Sequence, residues 1–136
     1  MTSTYQLADN YGRVATDLRV SLTDRCNLRC QYCMPPEGLE WMPHSEVLSD
    51  DEVIRLVRIG VVLLGIESVR FTGGEPLLRR GLASIIAATK AVNPSIETSL
   101  TTNGLGLKHT AKALAEAGLD RLNVSLDSLD PAIYQE

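Results

Sequence analysis

Four short stretches of this chain, residues 17–23, 68–72, 96–102 and 121–127, alternate apolar and polar side chains with a period of two, and helical patterns lie between them. The first helical pattern covers residues 50–64, opened by a Ser49-x-x-Glu52 capping box and closed by Gly65, with Val53, Ile54, Leu56, Val57 and Val61 on its apolar side. A second covers residues 81–92 and stops at Asn93-Pro94, because proline disfavours helix in the residue before it. A third covers residues 108–117, with Gly118 as its stop. Strand followed by helix, repeated, predicts an α/β architecture of parallel strands joined by crossover helices. After the fourth strand, Asp130-Pro131 reads as the N-cap and first position of a further helix.

Four strand-helix units are half of an eight-unit barrel. The expectation is therefore one domain over residues 1–136, the N-terminal half of a TIM-type or partial barrel, with the C-terminal half outside this sequence. The alternative is a small open doubly wound sheet, which would need its final helix to cover one face.

The strand phases carry a second expectation. Leu18, Val20 and Leu22, Val69 and Phe71, Leu100, and Leu122, Val124 and Leu126 share the phase that would face the helices. The opposite phase is polar: Arg19 and Ser21, Ser68, Arg70 and Thr72, Ser99 and Thr101, then Asn123, Ser125 and Asp127. Closed barrels usually fill their interior with branched aliphatics, so hydroxyls, amides and two arginines there predict a polar ligand, and the arginines suggest phosphate. A merely solvated face is the competing reading; parallel sheets argue against it, since both of their faces are normally covered.

Composition narrows the class. With 44% hydrophobic and 22% charged residues the chain has the makings of one globular core. Its net charge is −4 with no basic block, which speaks against nucleic acid or an anionic membrane as the main partner. The polar opening lacks a basic segment followed by an apolar run, and the longest apolar run, residues 59–66, is too short to span a bilayer, so a cytoplasmic protein is expected.

All three cysteines fall in Cys26-Asn27-Leu28-Arg29-Cys30-Gln31-Tyr32-Cys33. An odd number packed so closely makes no disulfide framework and points to metal or redox chemistry. Three thiolates can hold three corners of a four-iron cluster, leaving one iron open to a small molecule, whereas an electron-transfer ferredoxin fills all four corners. Two other readings stand beside this one. The spacing would also put the cysteines on one face of a helix as a buried stripe, which the flanking Asp24, Arg25, Arg29 and Pro35-Pro36 oppose; and His44 could complete a zinc site. Gly73-Gly74-Glu75-Pro76 after the second strand permits close backbone approach, and Thr101-Thr102-Asn103-Gly104 ends the third in a turn.

The cysteine loop after the first strand, with Tyr32 before its third cysteine and Gly-Gly-Glu-Pro after the second strand, resembles the radical S-adenosylmethionine superfamily. Within it, the run from Asp17-Leu18-Arg19-Val20-Ser21-Leu22-Thr23-Asp24-Arg25 through the cysteines to Met34-Pro35 is similar to the GTP 3′,8-cyclases of molybdenum cofactor biosynthesis. So are Arg70-Phe71-Thr72-Gly73-Gly74-Glu75-Pro76-Leu77-Leu78-Arg79-Arg80, Leu100-Thr101-Thr102-Asn103-Gly104 and Leu122-Asn123-Val124-Ser125-Leu126-Asp127. The resemblance implies that Cys26, Cys30 and Cys33 hold a [4Fe-4S] cluster whose open iron chelates S-adenosyl-L-methionine. It implies that a 5′-deoxyadenosyl radical then takes a hydrogen from the ribose of GTP, giving 3′,8-cyclo-7,8-dihydroguanosine triphosphate. Tyr32, Gly74 and Ser125 match positions that contact S-adenosylmethionine, the tyrosine and glycine through backbone groups. Arg19, Arg70 and Thr101 match positions that contact GTP. The implied partners are GTP, an electron donor, a downstream enzyme of the molybdenum cofactor pathway and a second copy of the chain. A second cluster region against the guanine base, borne by the family's C-terminal half, is absent from these residues. Another radical S-adenosylmethionine activity, or a non-catalytic iron-sulfur or zinc module, are the alternatives.

Overall fold

The computed structural model describes residues 5–135. A short antiparallel hairpin, β1 (Leu7–Ala8) with β2 (Val14–Ala15), precedes the main sheet strands β3 (Asp17–Ser21), β4 (Ser68–Thr72), β5 (Glu97–Thr102) and β6 (Arg121–Val124). The order is β3-β4-β5-β6 and every neighbouring pair is parallel. The crossovers are α1 (Asp50–Leu63), α2 (Leu82–Val92) and α3 (Leu107–Glu116); α4 (Pro131–Tyr134) follows β6. This is the expected strand-helix alternation. The hairpin was not legible as strand: two-residue strands carry no period, and its turn is held by the Asp9 carboxylate, which accepts from the N–H groups of Tyr11 and Arg13 at 2.8 and 3.0 Å.

The helix starts follow local chemistry. Glu52 donates its N–H to Ser49 Oγ at 3.3 Å while the Glu52 carboxylate accepts the Ser49 N–H at 2.8 Å, so the capping box closes in both directions. At α4, Asp130 accepts the Ala132 N–H at 2.9 Å ahead of Pro131.

One core lies between the helices and one face of the sheet: Val53 and Val57 of α1, Leu82, Ile85 and Ile86 of α2 and Leu114 of α3 close over Val69, Phe71 and Leu100, with Leu22 and Ile96 at the strand ends. Two expectations fail at the margins. Leu56 is 52% exposed, since α1 buries the stripe Val53, Val57 and Gly60 and leans toward Ile54 and Val61, putting Leu56 on the open flank. Leu122, Val124 and Leu126 share the helix-facing phase, yet they are 41, 51 and 53% exposed. A period of two fixes direction, but burial needs a cover, and the short α4 buries none of its own residues.

The N-terminal end of the sheet is locked by a polar knot. Fully buried Thr98 gives its N–H and hydroxyl to Asp120 Oδ2 at 2.8 and 3.0 Å, and Lys90 Nζ reaches the same oxygen at 2.6 Å. Burial alone would raise the Asp120 pKa, but the Lys90 ammonium and the Thr98 donors outweigh it and hold it below the ordinary value. A depressed carboxylate adds stability that is present above its unfolded pKa and is lost as pH falls through its folded one. Asp120→Asn is therefore expected to lower stability by about 1 kcal/mol at neutral pH. In urea denaturation the gap from the parent protein should shrink as the buffer is taken into the acid range; an unchanged gap would remove the ion pair from the account.

Candidate cofactor and substrate site

The cysteine loop, Gly74 and Ser125 lie at the C-terminal ends of the strands, and Arg19, Arg70 and Thr101 on the sheet face away from the helices. The first element is the loop from Leu22 to Met34. The pairing of β3 with β4 does not stop at the strand ends. Leu22 donates its N–H to Thr72 O at 2.8 Å, Gly74 to Thr23 O at 2.7 Å and Glu75 to Arg25 O at 2.7 Å, so the ladder runs up to the residue before Cys26. This contact explains the glycines. Gly73 has φ +150, and a Cβ there would lie 2.5 Å from Thr23 O; a Cβ on Gly74 would collide with the carbonyls of Asp24 and Arg25. The backbone that comes so near is the cysteine loop itself.

The loop is tied at further points. Asp24 Oδ2 accepts the Met42 N–H at 2.6 Å, while its Oδ1 is buried with no hydrogen-bond partner among the described residues. Arg29 Nη1 donates to the carbonyls of Cys26 and Leu28 at 2.9 and 2.8 Å, and its guanidinium lies over the Trp41 ring, 5.6 Å from the centroid. Asn103 Nδ2 donates to Asn27 Oδ1 at 2.8 Å. Tyr32 OH donates to the Asp127 carboxylate at 3.0 and 3.1 Å; that hydrogen bond and the Asp127 charge push the phenol pKa up to about 12. Cys33 N–H donates to Cys30 O at 2.9 Å, closing a turn. The segment is thus a loop wound around its own carbonyls, and the helical-stripe reading is set aside.

Cys26 and Cys30 are half-buried, Cys33 is exposed, and all three are free thiols. Among the described residues no three His, Cys, Asp or Glu side chains, the three cysteines and His44 included, converge as ligands of one metal ion. An iron-sulfur cubane presents its irons at separate corners and asks its thiolates only to surround it. Three accessible thiols on a loop with neighbouring arginines fit that donor set. An open cleft of about 520 Å³ runs beside the loop, lined by Arg29, Cys30, Tyr32 and Asp127 and by Ile133 and Tyr134 of α4.

The other expected residues are placed as follows. Arg19 and Arg70 are register partners on β3 and β4, both exposed on the face away from the helices. Arg70 is aligned with Ser99, and Ser99 with Arg121, so one row across the sheet carries three arginines. Arg121 pairs with Glu97 at 3.1 Å; among the described residues Arg19 and Arg70 have no ion-pair partner. Thr101, half-buried, is aligned with Asn123 one row nearer the cysteines. Ser125 is exposed just past β6, and its N–H donates to Thr102 O at 2.8 Å. Gly74 spends its N–H on Thr23, and among the described residues its carbonyl accepts no hydrogen bond. Sequence reasoning missed Asp24, Asn27, Arg29, Trp41 and Asn103 as loop supports. Only Asn103 carried a signal, its Asn-Gly turn.

A parallel α/β sheet with crossover helices, a three-cysteine loop at its C-terminal edge and a polar open face defines a cofactor-binding half-barrel of the kind that works at its strand ends. Residues 20–136 match the Radical SAM superfamily, and the chain belongs to it. Membership implies a four-iron cluster and S-adenosylmethionine as cofactors. The chain is 64% identical over 129 residues to "GTP 3',8-cyclase" of Streptomyces coelicolor, which covers 95% of this chain and 38% of that protein. It is 62% identical over 132 residues to "GTP 3',8-cyclase 2" of Mycobacterium tuberculosis strain H37Rv, covering 97% of this chain and 37% of that protein. The chain therefore spans little more than a third of the length of these relatives. Among solved structures, BtrN in complex with AdoMet and 2-DOIA superposes with a TM-score of 0.60 at 19% identity, over 90% of this chain and 55% of that one, a likeness of fold. Among the described residues no helix is long and apolar enough to cross a membrane.

Gly74→Ala tests the close approach. The added methyl meets two carbonyls of the loop, so we expect a loss of about 1–3 kcal/mol or a displaced loop, seen as a lower denaturation midpoint or poorer iron uptake. Parent-like values in both would show that the glycine is not there for the cysteine loop.

Proposed function

We propose that this chain supplies the first cluster loop and much of the cofactor and substrate surface of a GTP 3′,8-cyclase, acting in molybdenum cofactor biosynthesis. Cys26, Cys30 and Cys33 hold the cluster, and S-adenosylmethionine sits against the loop. When bound, these groups supply one-electron cleavage of a carbon–sulfur bond and the means to abstract a hydrogen atom from substrate. The chain's own residues bind and orient. The free carbonyl of Gly74 is an acceptor suited to the cofactor's ammonium, while Tyr32 and Ser125 bound its site from the loop and from the end of β6.

The observation that carries the substrate reading is the register pair Arg19 and Arg70 on the open face, unpaired among the described residues. Arg19 and Arg70 rise from adjacent strands about 4.8 Å apart in the hydrogen-bonding direction, so their like charges repel until an anion lies between them. A triphosphate relieves that repulsion through bidentate, charge-assisted hydrogen bonds. Thr101 adds a hydroxyl one row nearer the cysteines, which sets the sugar toward the cofactor. The 62–64% identity to proteins named as GTP 3',8-cyclases supports the same substrate. An electron donor, a downstream pathway enzyme and pairing of two copies complete the reading, with a cytoplasmic location.

The test is anaerobic reconstitution of the full-length protein with iron, sulfide, reductant, S-adenosylmethionine and GTP. We expect 5′-deoxyadenosine and a cyclised guanosine triphosphate; 5′-deoxyadenosine formed only with another substrate would reassign the activity within the superfamily, and one zinc with no acid-labile sulfide would reject it. Cys30→Ala should remove the first cluster's share of the iron and sulfide and abolish all cofactor cleavage. For Arg19→Ala, GTP affinity should fall about 10- to 100-fold, as expected for losing charge-assisted hydrogen bonds, with cluster content retained. Unchanged affinity would reject the phosphate role.

A further inference from the structure

Cys26 sits inside a closed ring of hydrogen bonds, and one residue provides both arms of it. On one side Glu75 donates its N–H to Arg25 O at 2.7 Å. On the other, its carboxylate accepts the Asn103 N–H at 2.8 Å, and the Asn103 side chain donates to Asn27 Oδ1 at 2.8 Å. The residues immediately before and after Cys26 are therefore both held from Glu75, one by main chain and one through Asn103. We propose that Asn103 and Asn27 are positioning residues that preset the first cluster ligand, with Glu75 as their anchor. The inference rests on the reading of Cys26 as a cluster ligand and adds to it what fixes that cysteine before any metal arrives.

The anchor is rigid for a physical reason. Glu75 is 1% exposed, and a buried carboxylate is tolerated only when donors surround it. It accepts three: Leu77 N–H at 3.0 Å and the Thr102 hydroxyl at 2.6 Å on Oε1, and Asn103 N–H on Oε2. The Asn103 amide has only one sensible orientation. Its Oδ1 accepts the Leu105 N–H at 2.9 Å, a backbone group that can only donate, so its NH₂ must face Asn27, and Asn27 must answer with oxygen. Each link thus fixes the next. By contrast Cys33 lies past the turn closed on Cys30 and is exposed, so the loop combines a preset first ligand with a freer last one.

The experiment uses metal-free full-length protein, read by hydrogen exchange over residues 25–30 and by the alkylation rates of Cys26 and Cys33. Asn103→Ala and Asn27→Ala should each speed exchange in that segment and alkylation of Cys26 roughly five- to tenfold, the effect of one lost hydrogen bond, and leave Cys33 unchanged. Their double variant should be no worse than either alone, because both remove the same link. Asn27→Asp keeps the acceptor oxygen and should behave as the parent. If Asn103→Ala also disturbs the β5 turn, the exposed Asn27→Ala decides the matter. Rates for Asn27→Ala within about twofold of the parent, or additive effects in the double variant, would overturn the proposal. Iron and sulfide uptake is measured separately: a parent protein that takes up neither refutes the cluster reading, while the metal-free rates still decide the ring.

Discussion

The site depends on a backbone ladder that outlasts its strands. Beyond their strand ends β3 and β4 stay paired through Thr23 and Arg25, so the cysteine loop leaves the sheet already aligned on the segment Gly73 to Glu75. The two glycines are a steric consequence of that contact, since a side chain at either would strike loop carbonyls. A loop of this length ordered only by side chains would have to overcome a large conformational entropy. Here the main chain supplies the order, and the cysteines inherit a fixed origin.

The two ends of the sheet divide the work. At the N-terminal ends, Thr98, Asp120 and Lys90 satisfy one another, and Asp17 accepts from Ser68. At the C-terminal ends the side chains instead reach across to the cysteine loop, Asn103 to Asn27 and Tyr32 to Asp127. The first set holds the strands in register; the second orders the cysteine loop at the strand ends, the end at which barrel folds in general place their sites.

How much of this was legible in sequence follows from what each signal measures. Period two and period 3.6 located all four main strands and three crossover helices, because burial on one face imposes those periods, and the capping box at Ser49 and Glu52 marked a helix start by chemistry that acts within one turn. The cysteine spacing marked a loop for metal or redox chemistry and the polar phase put Arg19, Arg70 and Thr101 on one face, while the roles proposed for them came from the family resemblance. Burial at Leu56 and along β6 was misjudged, since periodicity reports direction and says nothing of what covers a face. The loop supports were missed for a different reason. Asn27 and Asn103 are 76 residues apart, Tyr32 and Asp127 are 95 apart, and no local pattern announces a contact made only once the sheet has formed.

The charge arrangement on the open face bears on the proposed substrate reading. Its first row pairs Asp17 with Ser68 and places Glu97 beside them, and Glu97 in turn neutralises Arg121. The next row holds Arg19 and Arg70 side by side, although Asp17 and Glu97 stand only one row away on β3 and β5. A sheet built for stability alone would have let those carboxylates quench both arginines, as Glu97 quenches Arg121. Two in-register guanidiniums left unquenched raise the energy of the face, and a bound polyanion, as proposed for this site, would lower it again. The hydroxyl and amide row of Thr101 and Asn123 then lies between that cationic row and the cysteines. In the proposed reading, a substrate anchored by phosphate on the arginines would extend its uncharged part toward the cysteine loop, the polarity that the order of the rows favours.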